Sequence, residues 1–137
     1  MSRVIVALGS NIEPRDEYLA RAIELLSAMA KTSLQRLSSV IETEPVGVLP
    51  QFQKLKFLNQ VAIFETGLEV HEFSQQMHLI EDELGRVRTV VNGPRTIDLD
   101  LIDFDGLTLN EPELTLPHPR AHERDFVMNP LREILNK

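Results

Sequence analysis

Val4-Ile5-Val6-Ala7-Leu8 is an unbroken apolar run that stops at Gly9-Ser10-Asn11, and it reads as a buried strand. The period then becomes helical. Leu19, Ala22, Ile23, Leu26 and Met29 form one stripe behind Pro14, a favoured first-turn residue, and behind Glu13, Asp16 and Glu17, which suit the positive end of a helix. Residues 34–41 predict a second strand and 57–65 a third, separated by a loop broken at Pro45, Gly47 and Pro50. Thr66-Gly67 turns into a second helix with the stripe Val70, Phe73, Met77, Ile80 and Leu84, and Gly85 is placed as its C-terminal cap. After an arginine-rich loop, residues 96–104 predict a fourth strand, followed by an Asp105-Gly106 hairpin turn into Leu107-Thr108-Leu109. The tail from Pro117 is rich in Pro and Arg, with a short helix expected over 131–135.

The order β-α-β-β-α-β predicts an α+β chain, the ferredoxin-like split unit with an antiparallel sheet. Both helices are expected on one face and ligand-bearing loops on the other. Within the fourth strand Asp98 and Asp100 alternate with Ile97, Leu99 and Leu101. If the leucines face the helices, both aspartates point to the loop-covered side, roughly 6.5–7 Å apart along the backbone. Two carboxylates that close call for a counter-charge, and a divalent cation is the natural one. Arg86, Arg88 and Arg95 precede them through the Gly93-Pro94 turn, which suggests phosphate as the metal's other ligand.

Composition narrows the partners. The 137 residues predict a single domain over 1–137. There is no Cys, so disulfides, thiolate zinc sites and Cys nucleophiles are excluded, in keeping with a reducing cytoplasm. The apolar run near Met1 is too short for a signal peptide, and no stretch approaches the ~18 apolar residues of a membrane span. A net charge of −7 argues against a nucleic-acid coat or an anionic-membrane binder. Between Phe57 and Leu131 there are five Arg (Arg86, Arg88, Arg95, Arg120, Arg124) and no Lys, which favours a small polyanion. A monomer acting on small molecules is expected.

Each candidate also has a plain structural explanation. Singly, the arginines read as surface ion pairs, which contribute little, and His118 in Pro117-His118-Pro119 reads as a satisfied structural histidine. Five arginines around one aspartate pair and one histidine reverse that weighting. Phe57 alone could be core, but Asn59 on the same face would then be a buried amide in need of partners. An aromatic plane beside an amide edge is how a flat heterocycle is held. Gly9-Ser10-Asn11 could be a mere turn or could present backbone N–H groups to a ligand. No P-loop and no protein-kinase signature occurs.

With these residues laid out, the chain resembles 6-hydroxymethyl-7,8-dihydropterin pyrophosphokinases of folate biosynthesis. The resemblance runs nearly end to end, through ALGSN at 7–11, TEPVG at 43–47, FLN at 57–59, GRVR at 85–88, GPRTIDLDL at 93–101, PHP at 117–119 and Arg124-Asp125-Phe126. It implies a ferredoxin-like fold, ATP as co-substrate, and transfer of pyrophosphate to the hydroxymethyl group of a reduced pterin with release of AMP. It also implies two Mg²⁺ ions on Asp98 and Asp100, with Arg88 and Arg95 completing the catalytic set. By position, Thr43, Pro45, Val46, Phe57, Asn59 and Phe126 would bind the pterin. Glu81, Arg88, Arg95, Leu101, Thr115, His118 and Arg124 would line the ATP site. The chain lacks the Arg-Trp pair that many bacterial members carry before the GPR, and has Glu113 where some have Arg. Those departures leave a weakened or non-catalytic pterin- and nucleotide-binding homologue as the alternative.

Three rival readings fit less well. A polymerase-palm or cyclase domain shares the strand order and paired carboxylates, but usually adds a carboxylate on strand one, where residues 4–8 have none. A non-catalytic regulatory domain would need neither the aspartates nor the arginines. An RNA-binding sheet is disfavoured by the acidic charge, the single Tyr and the absence of Trp.

Overall fold

The apolar run near the N-terminus is the centre of the sheet. The computed structural model describes residues 1–44, 56–85 and 97–135. The elements are β1 (Ser2–Ser10), α1 (Arg15–Ser27), β2 (Thr32–Leu37), β3 (Ile41–Thr43), β4 (Phe57–Thr66), α2 (Val70–Glu83), β5 (Asp98–Phe104), β6 (Leu109–Glu111), β7 (Leu114–Leu116) and α3 (Asp125–Leu135). The main sheet has the order β2-β4-β1-β5, with every pair antiparallel, and β3 also pairs with β4. β1 therefore has a strand on each side and a packed layer on each face, which is why its residues can all be apolar.

One face of the sheet buries Val4, Val6, Leu8, Ala62, Phe64, Leu99 and Leu101 against Leu19, Ala22 and Leu26 of α1 and Phe73, Met77 and Ile80 of α2. The two predicted helical stripes thus meet the sheet as expected. Leu99 and Leu101 do face the helices.

The opposite face differs from expectation. It is not left to loops: α3 covers half of it, packing Val127, Leu131 and Ile134 over Ile5, Ala7, Val61, Ile63 and Ile102. Residues 127, 131 and 134 recur at i, i+4 and i+7, one helical stripe. Pro130 lies inside this helix and removes one backbone N–H, which makes 131–135 look like the whole helix from sequence. Burial of the stripe outweighs that loss, and the helix begins six residues earlier, at Asp125.

Two other elements depart from the predicted boundaries. The strand expected over 34–41 is divided at Ser38, whose N–H donates to the Val61 carbonyl at 2.9 Å and whose Oγ accepts the Val61 N–H at 2.9 Å. β3 then resumes along the same edge of β4, placing Thr43 opposite Phe57. Asp105 and Gly106 do form the tight turn, with φ of 54° and 74°, and Leu107 N–H donates to Phe104 C=O at 2.9 Å. The chain leaving it does not pair with β5, however. β6 pairs with β7 as a separate two-stranded ribbon.

A register shift between β1 and β5 finishes the arrangement. Ala7 faces Asp100 and Val6 faces Leu101, whereas Ile5 faces Asp103, so Ile102 is the extra residue of a bulge. The shift returns Phe104 to the α1–α2 side, where it meets Phe73 edge-on at 6.0 Å. Ile102 joins the apolar cluster under α3.

Candidate active site

The half of the sheet face beyond α3 carries polar and aromatic side chains. Register places Gly9 opposite Asn59 on one side and Asp98 on the other, so one row crosses three strands as Asn59, Gly9, Asp98. The next row is Val61, Ala7, Asp100. At a strand spacing of ~4.8 Å, the Asn59 and Asp98 backbones lie about 10 Å apart. Asp98 and Asp100 are both half-buried, while Leu99 between them is buried in the core. The parity expected from sequence holds.

Gly9 forms the floor of this row. A Cβ placed there would stand 3.3 Å from Asn59 Oδ1 and 3.5 Å from the Phe57 ring. Any side chain would fill the space between them, so glycine keeps the floor low. Asn59 is buried, and its amide nitrogen donates to Thr43 Oγ1 at 2.5 Å. Thr43, Phe57 and Asn59 are thereby gathered beside Gly9 on adjacent strands. Pro45 and Val46, the other two residues expected there, lie outside the described residues.

Phe126 and Arg124 come from the other side. Phe126 is half-buried at the start of α3, and the Arg124 guanidinium lies 5.5 Å from its ring centre. Arg124 Nη1 is also 4.0 Å from Asp100 Oδ2. One arginine therefore links the aspartates to the aromatic side of the site. Arg88 and Arg95 lie outside the described residues.

His118 enters through the segment after β7, where its N–H donates to the Ile102 carbonyl at 2.8 Å. Burial, reinforced by Arg124 and Arg120 and opposed by Asp98, pushes its pKa below the usual histidine value. The neutral ring accepts the Arg120 N–H on Nδ1 at 3.2 Å, so its proton belongs on Nε2, leaving one donor. Thr115 is exposed on β7, where its hydroxyl reaches the Glu111 carbonyl at 3.4 Å.

Two residues that the resemblance places along the nucleotide are positioned differently. Glu81 is 3% exposed on α2 and accepts the Leu99 N–H at 2.9 Å and a bond with His78 Nδ1 at 2.9 Å. It sits at the outer edge of β5, on the helix side, and not on the face with the aspartates. The Leu101 side chain is in the core. By the two-residue alternation its backbone groups face the same outer edge as those of Leu99, so only its main chain is presented there.

The donor set suits Mg²⁺. This hard cation takes one or two carboxylates and completes its shell with water and substrate phosphate. Among the described residues no group of three or more His, Cys, Asp or Glu side chains forms an all-protein metal cage. The paired carboxylates of Asp98 and Asp100 fit that mode of binding.

A family model described as 7,8-dihydro-6-hydroxymethylpterin-pyrophosphokinase (HPPK) matches residues 5–136. The chain belongs to the HPPK family. It is 44% identical over 129 residues to the 2-amino-4-hydroxy-6-hydroxymethyldihydropteridine pyrophosphokinase of Bacillus subtilis (strain 168), spanning 94% of this chain and 75% of that protein. It is 37% identical over 134 residues to the protein of the same name from Haemophilus influenzae, spanning 98% and 82%. It also matches the bifunctional protein FolKE of Lactococcus lactis subsp. lactis, 36% identical over 137 residues but spanning only 38% of that protein. Among solved structures, a crystal structure of HPPK-DHPS in complex with substrates has a TM-score of 0.71 at 11% identity, covering 96% of this chain and 40% of that one. At that identity the likeness is one of fold. Within the HPPK framework, the structure brings Thr43, Phe57 and Asn59 together, and separately Asp98, Asp100, His118, Arg124 and Phe126. Gly9 joins the first group.

The sequence carried a signal for the bond between Glu81 and the Leu99 N–H. Glu81 lies four residues after Met77 and next to Ile80, a carboxylate on the rim of an apolar helical stripe. Such a carboxylate must find a partner inside.

Proposed function

We propose that this chain catalyses Mg²⁺-dependent transfer of pyrophosphate from ATP to the hydroxymethyl group of 6-hydroxymethyl-7,8-dihydropterin, releasing AMP, a step of folate biosynthesis. The observation that carries the reading is the row Asn59–Gly9–Asp98. It sets an amide and an aromatic ring for a flat heterocycle across one intervening strand from a carboxylate pair suited to metal-bound phosphate.

The pterin lies over Gly9, with Asn59 on its donor–acceptor edge and Phe57 and Phe126 on its faces, and Thr43, Pro45 and Val46 complete its binding residues. Asp98 and Asp100 would hold two Mg²⁺ ions, which would supply neutralisation of charge on the triphosphate. Arg88, Arg95 and Arg124 hold the phosphates by charge-assisted hydrogen bonds, and the His118 Nε2–H adds a neutral donor. The adenine lies along the outer edge of β5, against the Leu101 main chain and Thr115, and Glu81 holds that edge from beneath. The residues align the hydroxymethyl oxygen with the β-phosphorus of ATP. Its new bond forms as the bond from that phosphorus to the α–β bridging oxygen breaks.

The strand order β2-β4-β1-β5 supports a ferredoxin-like assignment in which α3 is an addition on the ligand face. No helix is long and apolar enough to cross a membrane among the described residues. A monomer working in the cytoplasm on these two small molecules, without nucleic acid, completes the proposal. The test is to follow AMP from ATP with Mg²⁺, with and without the pterin. ATP binding with no AMP released would identify a non-catalytic homologue instead.

A further inference from the structure

Arg15, the first residue of α1, has no place in the site as described above. Its guanidinium nonetheless makes three hydrogen bonds: Nε to Glu13 Oε2 at 2.9 Å, Nη1 to Glu42 Oε2 at 2.8 Å, and Nη1 to the Lys56 carbonyl at 3.1 Å. The side chain is only 19% exposed although both carboxylates lie at the surface. Glu42 is in β3 and Lys56 immediately precedes β4. Each is the chain neighbour of a pterin-side residue, Glu42 of Thr43 and Lys56 of Phe57. Register pairs Thr43 with Phe57 directly. Because side chains alternate along a strand, Glu42 turns toward α1 while Thr43 turns toward Asn59.

Among the described residues β3 has three residues and pairs with β4 across three positions. So short an edge strand has little stability of its own. An arginine that ties its middle residue and the start of β4 to the same helix end fixes both strands at the point where the site begins. A rigid planar fork can do this, whereas a single ammonium group cannot reach all three acceptors.

We propose that Arg15 is a positioning residue for the pterin side of the site, acting through Glu42 and the Lys56 carbonyl to set Thr43 against Asn59 and Phe57. It touches neither substrate. The inference rests on the pterin pyrophosphokinase reading for the identity of the ligand, while the strand clamp itself stands on geometry.

The test compares Arg15→Ala, Arg15→Lys and Glu42→Gln with wild type and with Arg21→Ala. Arg21 belongs to the same helix and forms an ion pair with Glu24 at 3.2 Å. KM for pterin, KM for ATP, kcat and Tm are measured for each. Misplacing two site residues by a fraction of an ångström should raise the pterin KM about tenfold in Arg15→Ala, with ATP KM unchanged. Arg15→Lys and Glu42→Gln should fall between, and Arg21→Ala should match wild type. A pterin KM within twofold of wild type in Arg15→Ala would overturn the proposal. So would equal rises in both KM values accompanied by a fall in Tm, which marks general loosening. Should the wild type transfer no pyrophosphate, the functional reading fails by itself. Amide hydrogen exchange in β3 then decides the clamp: faster exchange over 41–43 in Arg15→Ala supports it, and unchanged exchange refutes it.

Discussion

Glu81→Ala should weaken the fold and the metal site together. The carboxylate is 3% exposed and accepts the N–H of Leu99, itself 3% exposed, at 2.9 Å. Truncation leaves that buried donor without its acceptor, a cost of about 1–3 kcal/mol. The space vacated by the side chain adds about 1 kcal/mol if the surroundings do not collapse into it. A total of about 2–4 kcal/mol corresponds to a fall in Tm of about 10 °C for a chain of this size. Leu99 sits between Asp98 and Asp100, so a looser β5 edge should also reduce affinity for Mn²⁺, a convenient stand-in for Mg²⁺. Glu81→Gln keeps an acceptor at the same place and should lose less than half as much. Thermal unfolding and a Mn²⁺ titration read both effects. An alanine variant that melts within a degree or two of wild type would refute the claim that this bond holds the strand. A glutamine variant as damaged as the alanine one would show that charge, and not the acceptor, is what matters.

Three further expectations concern the site and its surroundings. Asp98→Ala and Asp100→Ala should each abolish AMP release while changing unfolding free energy by no more than about 1 kcal/mol, because each removes one of two neighbouring like charges; assay and denaturant titration on the same preparations check this. Phe57→Ala should weaken pterin binding about tenfold, from the ~0.5–1.5 kcal/mol of a stacked ring and the area lost with it. Asn59→Ala should act in the same direction, with nucleotide-analogue affinity unchanged in both by calorimetry; equal losses for both ligands would make these residues plain core. The two histidines should respond to pH in opposite senses. His118, with a depressed pKa, contributes stability that is complete above its unfolded value of about 6.5 and is lost as pH falls through the lower folded value. His71 bridges Glu69 at 2.7 Å and Glu111 at 2.6 Å, and those carboxylates raise its pKa to about 9. Its contribution is complete below the unfolded value and is lost as pH rises through about 9. His71→Asn should therefore lower Tm at about pH 6 and match wild type near pH 10. Histidine resonances followed by NMR give both midpoints.

The parts of the fold that follow periodicity were legible. The α1 and α2 stripes, and the alternation that puts Asp98 and Asp100 opposite Leu99 and Leu101, depend on side-chain spacing alone. That Asn59 needs a partner was legible too, because a polar residue on a buried strand face must find one, and Thr43 Oγ1 is that partner. What stayed hidden depends on tertiary pairing. Pro130 disguised α3, whose apolar stripe becomes informative only once the second sheet face needs a cover. The bulge at Ile102 is a matter of register, which no local pattern in β5 announces. Arg15 looks like one more helix-terminal charge until Glu42 and Lys56, distant in sequence, are brought to it. The partner of Glu81, the Leu99 N–H, was likewise hidden, because their bond joins α2 to β5 across a gap in sequence that no local pattern bridges.

The most direct test of the account measures both products of a single reaction. Protein is incubated with ATP, Mg²⁺ and 6-hydroxymethyl-7,8-dihydropterin; the pterin is weighed by mass spectrometry and AMP is quantified in the same samples. The account predicts one diphosphorylated pterin for each AMP, and neither product when Mg²⁺ or pterin is left out. ADP as the nucleotide product, a monophosphorylated pterin, or an unmodified pterin beside consumed ATP would contradict it.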